Sequence, residues 1–354
     1  MHIHYNKNQT TLPLEISSFL PQDHLVFTIE KVVNTLEDCH FHAFYHAFGR
    51  PSYHPKMLIA TLLFAYSQGI FSGRKIEKMM IENLAMQYLT GPLVVSYRTI
   101  NRFRVAEGME ELIRNLFMDL NLRLKMEELV TLDCLFIDGT KIEVNANKYS
   151  FVWKKATDTK TLLPFLETYP HDLKTVVADA GYGSEENLLR LDEKGVNHLI
   201  KYAMFDKEQK RGYKQSARNL ANWHYDDKED SYTHPDSWYY RFHHIKHQKT
   251  QTDFQQEIKV YYADEPESAP QKGLYMNGRY QNLKAKECQA LLSPEGRQIF
   301  AQRKIDVEPV FGQIKACLGY KRCNLRGKRQ VRIDMGLILM ANNLLKYNKR
   351  TTQN

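Results

Sequence analysis

The sequence predicts a multi-domain chain: an N-terminal all-α region, an α/β core interrupted by a β-rich insertion, and C-terminal helices. Three observations carry this. Apolar residues recur at spacings of three and four up to about residue 128. From about 130, strand-like runs alternate with helical ones. A Tyr- and His-rich stretch of alternating residues then fills 202 to 290. The segments expected are 1–128, 129–201, 202–290 and 291–354.

In the first segment, MLIATLLFAYSQGIF after Pro55 is apolar all round, as a buried helix is, and Gly69 and Gly73 punctuate its end. GRKIEKMMIENLAMQYLTG places Ile76, Met79, Met80, Leu84 and Tyr88 on one helical stripe that stops at Gly91-Pro92. SYRTINRFR follows, with Thr99 as the expected cap and Arg98, Arg102 and Arg104 distributed around it. A short basic helix after a packed pair is either a helix-turn-helix reader of DNA or a solvated face.

In the second segment, LDCLFID reads as a strand and TKIEV as a half-buried one. TKTLLPFLETY reads as a helix, TVVAD as a buried strand, SEENLLRL as a helix capped by Ser184, and VNHLIKY as a further strand. Strand, helix and strand joined by short loops argue for a parallel sheet, whose chemistry collects at the carboxyl ends of its strands. SWYYRFHHIKH and FQQEIKVYY are the strands expected of the insertion. Helical periodicity returns from Pro294, and GLILMANNLLKYNK is the buried C-terminal helix.

The chain of 354 residues carries 49 Lys and Arg against 41 Asp and Glu, a net +8 that suits a polyanionic partner such as DNA. No apolar run reaches the roughly 18 to 20 residues of a membrane span, and MHIHYNKNQ is too polar for a signal peptide, so a cytoplasmic protein without membrane contact is expected. Five cysteines without framework spacing read as reduced thiols.

Three acids far apart in the chain form the candidate chemistry: Asp138 closing LFID, Asp179 closing TVVAD, and Glu308 ahead of Pro309 at a helix start. In-line phosphoryl transfer on nucleic acid uses two metal ions, and Mg²⁺ takes hard oxygen ligands from a few carboxylates on different elements. On an unbroken α-helix, Glu308 and Lys315 fall within about 20° of each other and about 10 Å apart along the axis. That face offers a metal ligand and a phosphate-binding ammonium. Each acid alone also reads as a turn or cap residue. Asp133, Glu143, Asp158, Asp306 and Glu186 compete with the three. Lys315, Lys321, Arg322, Arg326, Lys328, Arg329 and Arg332 form a basic run suited to backbone phosphates. Cys39, His40, His42 and His46 are ligands by type but equally the flank of an aromatic helix.

The blocks GRPSYHPKMLIATLLFAYSQGIFSGRKIEKMM, RTINRFR, FIDGTKIEVNANKYSFVWKK, TDTKTLLPFLE, VVADAGYGSEENLLRL and RKIDVEPVFGQIK resemble bacterial insertion-sequence transposases of the DDE type, in the group with a Tyr-Arg-Glu-Lys signature. The resemblance covers most of residues 45 to 347. It implies a ribonuclease H-like core interrupted before its last acid, a two-metal Mg²⁺ site, and cut-and-paste transposition of a mobile element, with DNA ends and target DNA as partners. It also implies a homodimer on paired ends and a cytoplasmic, nucleoid-associated location.

Carried over, the catalytic and metal-binding triad is Asp138, Asp179 and Glu308, and Lys315 matches the signature Lys. Arg303 or Lys304 stands for the signature Arg, Lys304 at the matching spacing, and both are expected among the DNA-binding residues with Arg98, Arg102 and Arg104, while Ala301 replaces the Tyr. A second departure is the near-fused WKKATDTKTLLPF, where relatives carry a long stretch with further core strands. That implies an internal deletion that leaves the Asp138 strand at a sheet edge. The expected function is therefore Mg²⁺-dependent nicking and strand transfer at terminal inverted repeats. The alternative is an inactive DNA-binding remnant.

Overall fold

The computed structural model describes residues 15–45, 52–130, 133–140, 142–143, 160–168 and 173–352. In chain order the helices and strands are α1 (Leu25–Asn34), α2 (Pro55–Ser67), α3 (Gly73–Glu82), α4 (Leu84–Thr90), α5 (Tyr97–Arg104), α6 (Met109–Met126), β1 (Cys134–Ile137), α7 (Leu162–Thr168), β2 (Thr175–Ala178), α8 (Glu185–Glu193) and β3 (Asn197–Ile200). Two single turns follow, α9 (Phe205–Glu208) and α10 (Arg211–Lys214). Then come β4 (His224–Asp226), β5 (Ser231–Thr233), β6 (Tyr239–Lys249), β7 (Gln255–Ala263), β8 (Gly273–Met276), α11 (Gly278–Leu292), α12 (Pro294–Asp306), α13 (Glu308–Gly312) and α14 (Lys328–Thr351). The chain forms two compact units, one of residues 1–130, 140–152 and 309–354, the other of 131–139 and 153–308.

The first unit is helical. Pro55 starts α2, and almost every α2 side chain from Leu58 to Ser67 is buried, as its uniform apolar sequence requires. Around it pack α1, α6 and α14 in one core that includes Ile29, Leu63, Leu116, Leu337 and Leu344. Gly336 allows a close approach: a Cβ there would lie 2.5 Å from Ile113 Cγ2. From the sequence, residues 291–354 are expected to form the last part of the core, with the Glu308 helix and basic C-terminal helices. Residues 309–354 instead belong to the helical unit, because the apolar face of α14 is buried among N-terminal helices.

Two local expectations change here. The single helix read over GRKIEKMMIENLAMQYLTG is two, because Asn83 leaves helical geometry and its Oδ1 accepts the Met86 N–H at 2.8 Å. Asn competes with the backbone in this way. The cap of α5 is Ser96 rather than Thr99.

A buried acid fixes the end of the helical unit. Asp334 is fully buried and accepts from Tyr66 Oη, from Tyr320 Oη at 2.6 Å and from the Asn324 N–H at 2.7 Å. Burial, together with the Asp334 carboxylate, pushes both tyrosine hydroxyls well above their ordinary range.

The second unit holds a three-stranded parallel sheet in the order β1-β2-β3. One face of it, with Val176, Ala178 and Ile200, is covered by Leu188 and Leu191 of α8, Leu162 of α7 and Leu283 of α11. The other, with Phe136, Val177 and Leu199, meets Leu291 of α11 and Ile299 and Phe300 of α12. The central strand therefore buries both faces, which explains the unbroken apolar run in TVVA. Among the described residues β1 stands at the edge of this sheet, and its four residues are only half-buried. The WKKATDTK join before Lys160 and the end of TKIEV lie outside the described residues.

The insertion is a five-stranded antiparallel meander, β4 to β8 in sequential order, packed on Trp223, Tyr240, Tyr261 and Met276. It ends earlier than the sequence reading placed it, because residues 278–292 form α11. Helix formers in NLKAKECQALL favour that outcome.

α11 is tied to the sheet by buried charge. Glu287 Oε2 accepts the Ile200 N–H at 2.8 Å, while His198 lies between Glu287 and Asp192. Desolvation pulls the His198 pKa down, but the two carboxylates outweigh it and hold the ring above its ordinary value.

Asp334→Ala strands three donors, so unfolding in urea should show a loss of at least about 3 kcal/mol. Stability from His198 is complete below its unfolded pKa of 6.5 and fades as pH rises through the raised folded value. His198→Gln should therefore cost more stability near pH 6 than near pH 9. Equal losses at both would show that no proton is linked.

Candidate active site

The parallel register builds the site. Ile137 pairs with Ala178, so the next residues, Asp138 and Asp179, leave neighbouring strands side by side at their carboxyl ends. Each carboxylate is turned back on its own loop: Asp138 Oδ1 accepts the Gly139 N–H at 2.8 Å, and Asp179 Oδ1 accepts the Gly181 N–H at 2.9 Å. That leaves the second oxygen of each free to face a common point.

The DAGYGS loop after Asp179 is locked from behind. A Cβ at Gly183 would stand 2.2 Å from the Lys201 carbonyl oxygen, so only glycine fits this approach. The Gly183 carbonyl accepts from Tyr280 Oη at 2.6 Å, and Asn187 Nδ2 donates to the Tyr182 carbonyl. Glu185, buried at the start of α8, gathers Gln256, Asn277 and Arg279. The insertion and α11 thus brace the loop that carries the second acid.

The third acid, Glu308, opens α13 beside Pro309 and is exposed. What unites the three is Arg303, in the last turn of α12 and only 9% exposed. Its Nη2 lies 2.9 Å from Asp138 Oδ2 and 3.7 Å from Asp179 Oδ2, and its Nη1 lies 4.0 Å from Glu308 Oε1. From the sequence, Arg303 is expected among the DNA contacts. The structure instead buries it among the acids, a placement that its position five residues before Glu308 could have suggested. Three carboxylates of hard oxygen converging on one positive group are a set of donors that could hold a divalent cation.

The competing acids go elsewhere. Asp133 pairs with Lys174 at 3.1 Å near the amino ends of the strands, Glu143 pairs with Arg322, and Glu186 accepts from Thr252. Asp306 lies near Cys134, whose thiol is pushed up to about 11 by burial and by that carboxylate. Asp158 is outside the described residues.

The basic residues separate by what they touch. Arg104 is not available to DNA: it is buried and donates to Tyr66 Oη, the Phe71 carbonyl and Asn101 Oδ1. Arg98 and Arg102 on the same helix are exposed. Lys315 donates to Thr140 Oγ1. Because Gln313–Cys317 forms a π-helical turn, the α-helical arithmetic that put Lys315 on one face with Glu308 does not hold. Arg322 pairs with Glu143 at 3.0 Å, and Arg329 donates to the Ala106 carbonyl at 2.7 Å. Lys304, Arg326 and Lys328 are exposed and, among the described residues, make no ion pair.

Of the early Cys and His residues, Cys39 and His40 lie with Glu37 so that one ligand atom of each falls within 4.8 Å of the others. The hydrogen bond to Glu37 raises the Cys39 thiol, keeping it protonated. His46 is outside the described residues. No helix among the described residues is long and apolar enough to cross a membrane.

Two families match the chain. The Transposase domain (DUF772) matches residues 14–106, covering helices α1 to α5, and the Transposase DDE domain matches residues 147–344, with Asp179 and Glu308 inside it and Asp138 just before it. No curated protein and no solved structure matches. The DDE match alone spans more than half of the chain, so this protein belongs to the Transposase DDE domain family.

Proposed function

We propose that the chain is an insertion-sequence transposase that nicks and joins DNA at terminal inverted repeats, with Asp138, Asp179 and Glu308 as metal ligands. The observation that carries this is the meeting of three carboxylates, from two strand ends and a helix start, within 4.0 Å of one guanidinium. A pair of Mg²⁺ ions bound there would activate the attacking oxygen and neutralise phosphate charge. The chain's own part is positioning. β1 and β2 fix the two aspartates, the Gly183 loop holds Asp179 in place, and the α12–α13 junction brings in Glu308.

Exposed Arg98 and Arg102 of α5 would read or track the DNA end, while Arg326, Lys328 and Lys304 would hold backbone phosphates. Lys315, Arg322 and Arg329 would join them only by leaving their present partners. The parallel sheet with both aspartates at strand ends agrees with a ribonuclease H-like core of the Tyr-Arg-Glu-Lys group. Action on paired ends calls for a homodimer.

A second reading, an inactive DNA-binding remnant, is favoured by one observation. β1, which carries Asp138, is half-buried and unpaired on its outer side among the described residues. That is what an internal deletion of neighbouring strands would leave.

Cleavage of an inverted-repeat duplex with Mg²⁺ separates the two. Asp179→Ala and Glu308→Ala should each lose more than the roughly 10- to 100-fold that a lost outer-shell partner costs. Unchanged cleavage in Asp179→Ala would sink the assignment, and repeat binding with no cleavage by the native chain would establish the remnant. For DNA affinity, Arg326→Gln and Lys328→Gln should each flatten the plot of log K against log salt by about 0.9. Arg104→Gln should leave that slope alone and lower stability instead.

A further inference from the structure

We propose that Arg303 sets the metal affinity of the triad by occupying it: its guanidinium is the resident counter-cation of Asp138, Asp179 and Glu308, and a divalent ion enters only as Arg303 leaves. This rests on the reading of the triad as a metal site. All three ion pairs are made by the two terminal nitrogens of one side chain. Its Nε is buried and, among the described residues, has no hydrogen-bond partner. Among the described residues, the polar contacts of this buried side chain are therefore all at its tip.

The charge balance favours exchange. Three carboxylates facing one guanidinium leave two negative charges uncompensated. A divalent ion removes more of that charge from the same oxygens and does so at about 2.0–2.1 Å, closer than any N–H can approach. The two cations cannot share the position. Asp138 Oδ2 already lies 2.9 Å from Nη2, and a metal on that oxygen would face a like charge a few ångströms away. Every moment that Arg303 spends in the triad therefore subtracts from metal affinity. Arg303 lies in the last turn of α12, four residues before the α12–α13 break at Val307 and next to exposed Lys304, so a displaced side chain would move towards solvent beside Lys304. There it would meet a phosphate.

The test is calorimetric titration of Mn²⁺ into the full chain, native and as Arg303→Gln, Arg303→Lys and Asp138→Asn, with thermal unfolding followed with and without the ion. Arg303→Gln should bind about tenfold more tightly, the factor expected if the guanidinium fills the triad about nine-tenths of the time. Mn²⁺ should also raise its unfolding temperature more than that of the native chain. Arg303→Lys should fall between, because an ammonium is a point charge that cannot bridge three carboxylates.

Unchanged or weaker binding in Arg303→Gln, with binding abolished by Asp138→Asn, would overturn the role of Arg303 and leave the metal site standing. Binding that ignores Asp138→Asn would remove the metal site and this inference together. If Arg303→Gln does not fold, Arg303→Lys decides: tighter binding than native supports the exchange, and equal or weaker binding refutes it.

Discussion

The parallel pairing of β1 with β2 is the constraint on which the candidate site depends. Because Ile137 and Ala178 are register partners, the two residues that follow them emerge together, and both are aspartate. Two like charges at adjacent strand ends repel, so the arrangement needs a cation. Arg303 supplies one, reaching in from α12 and taking in Glu308 as well. The sheet creates the electrostatic problem, and the helix beside it supplies the answer.

Much of the second unit serves to hold that arrangement still. β2 is buried on both faces, so the Asp179 end of the sheet is closely packed, and the loop beyond it is braced by Tyr280 and by the contacts gathered on Glu185. The insertion and α11 therefore act as supports for the second acid. The far edge of the sheet is protected in another way: Glu287 takes the Ile200 N–H, and its charge is balanced by His198. β1, which carries the first acid, is only half-buried and has no comparable protection among the described residues.

In the helical unit, buried polar contacts decide which basic residues remain outside. Tyr66 binds both Asp334 and Arg104, drawing an arginine of α5 inward while its neighbours Arg98 and Arg102 stay exposed. The same carboxylate takes Tyr320 and the Asn324 N–H, which anchors the start of the basic segment running to α14. A charge count cannot distinguish Arg104 from Arg102, because the two differ only in which face of a short helix meets Tyr66.

The sequence by itself determined several of the element types. Apolar periodicity gave α2, the Ser184-capped α8, the buried strand β2 and the long β6–β7 pair, because those patterns reflect local burial and capping. It also singled out Asp138, Asp179 and Glu308, since residues at strand ends and helix starts are legible from local pattern. Where Asn83 interrupts a helix and where α11 begins depended on capping and propensity that a hydrophobic stripe does not record. Only the tertiary structure decided that α14 packs with the N-terminal helices, that Arg104 is buried, and that Arg303 stands among the three acids. Those outcomes depend on contacts between residues tens to hundreds of positions apart, or on which way a turn faces, and no spacing along the chain encodes either.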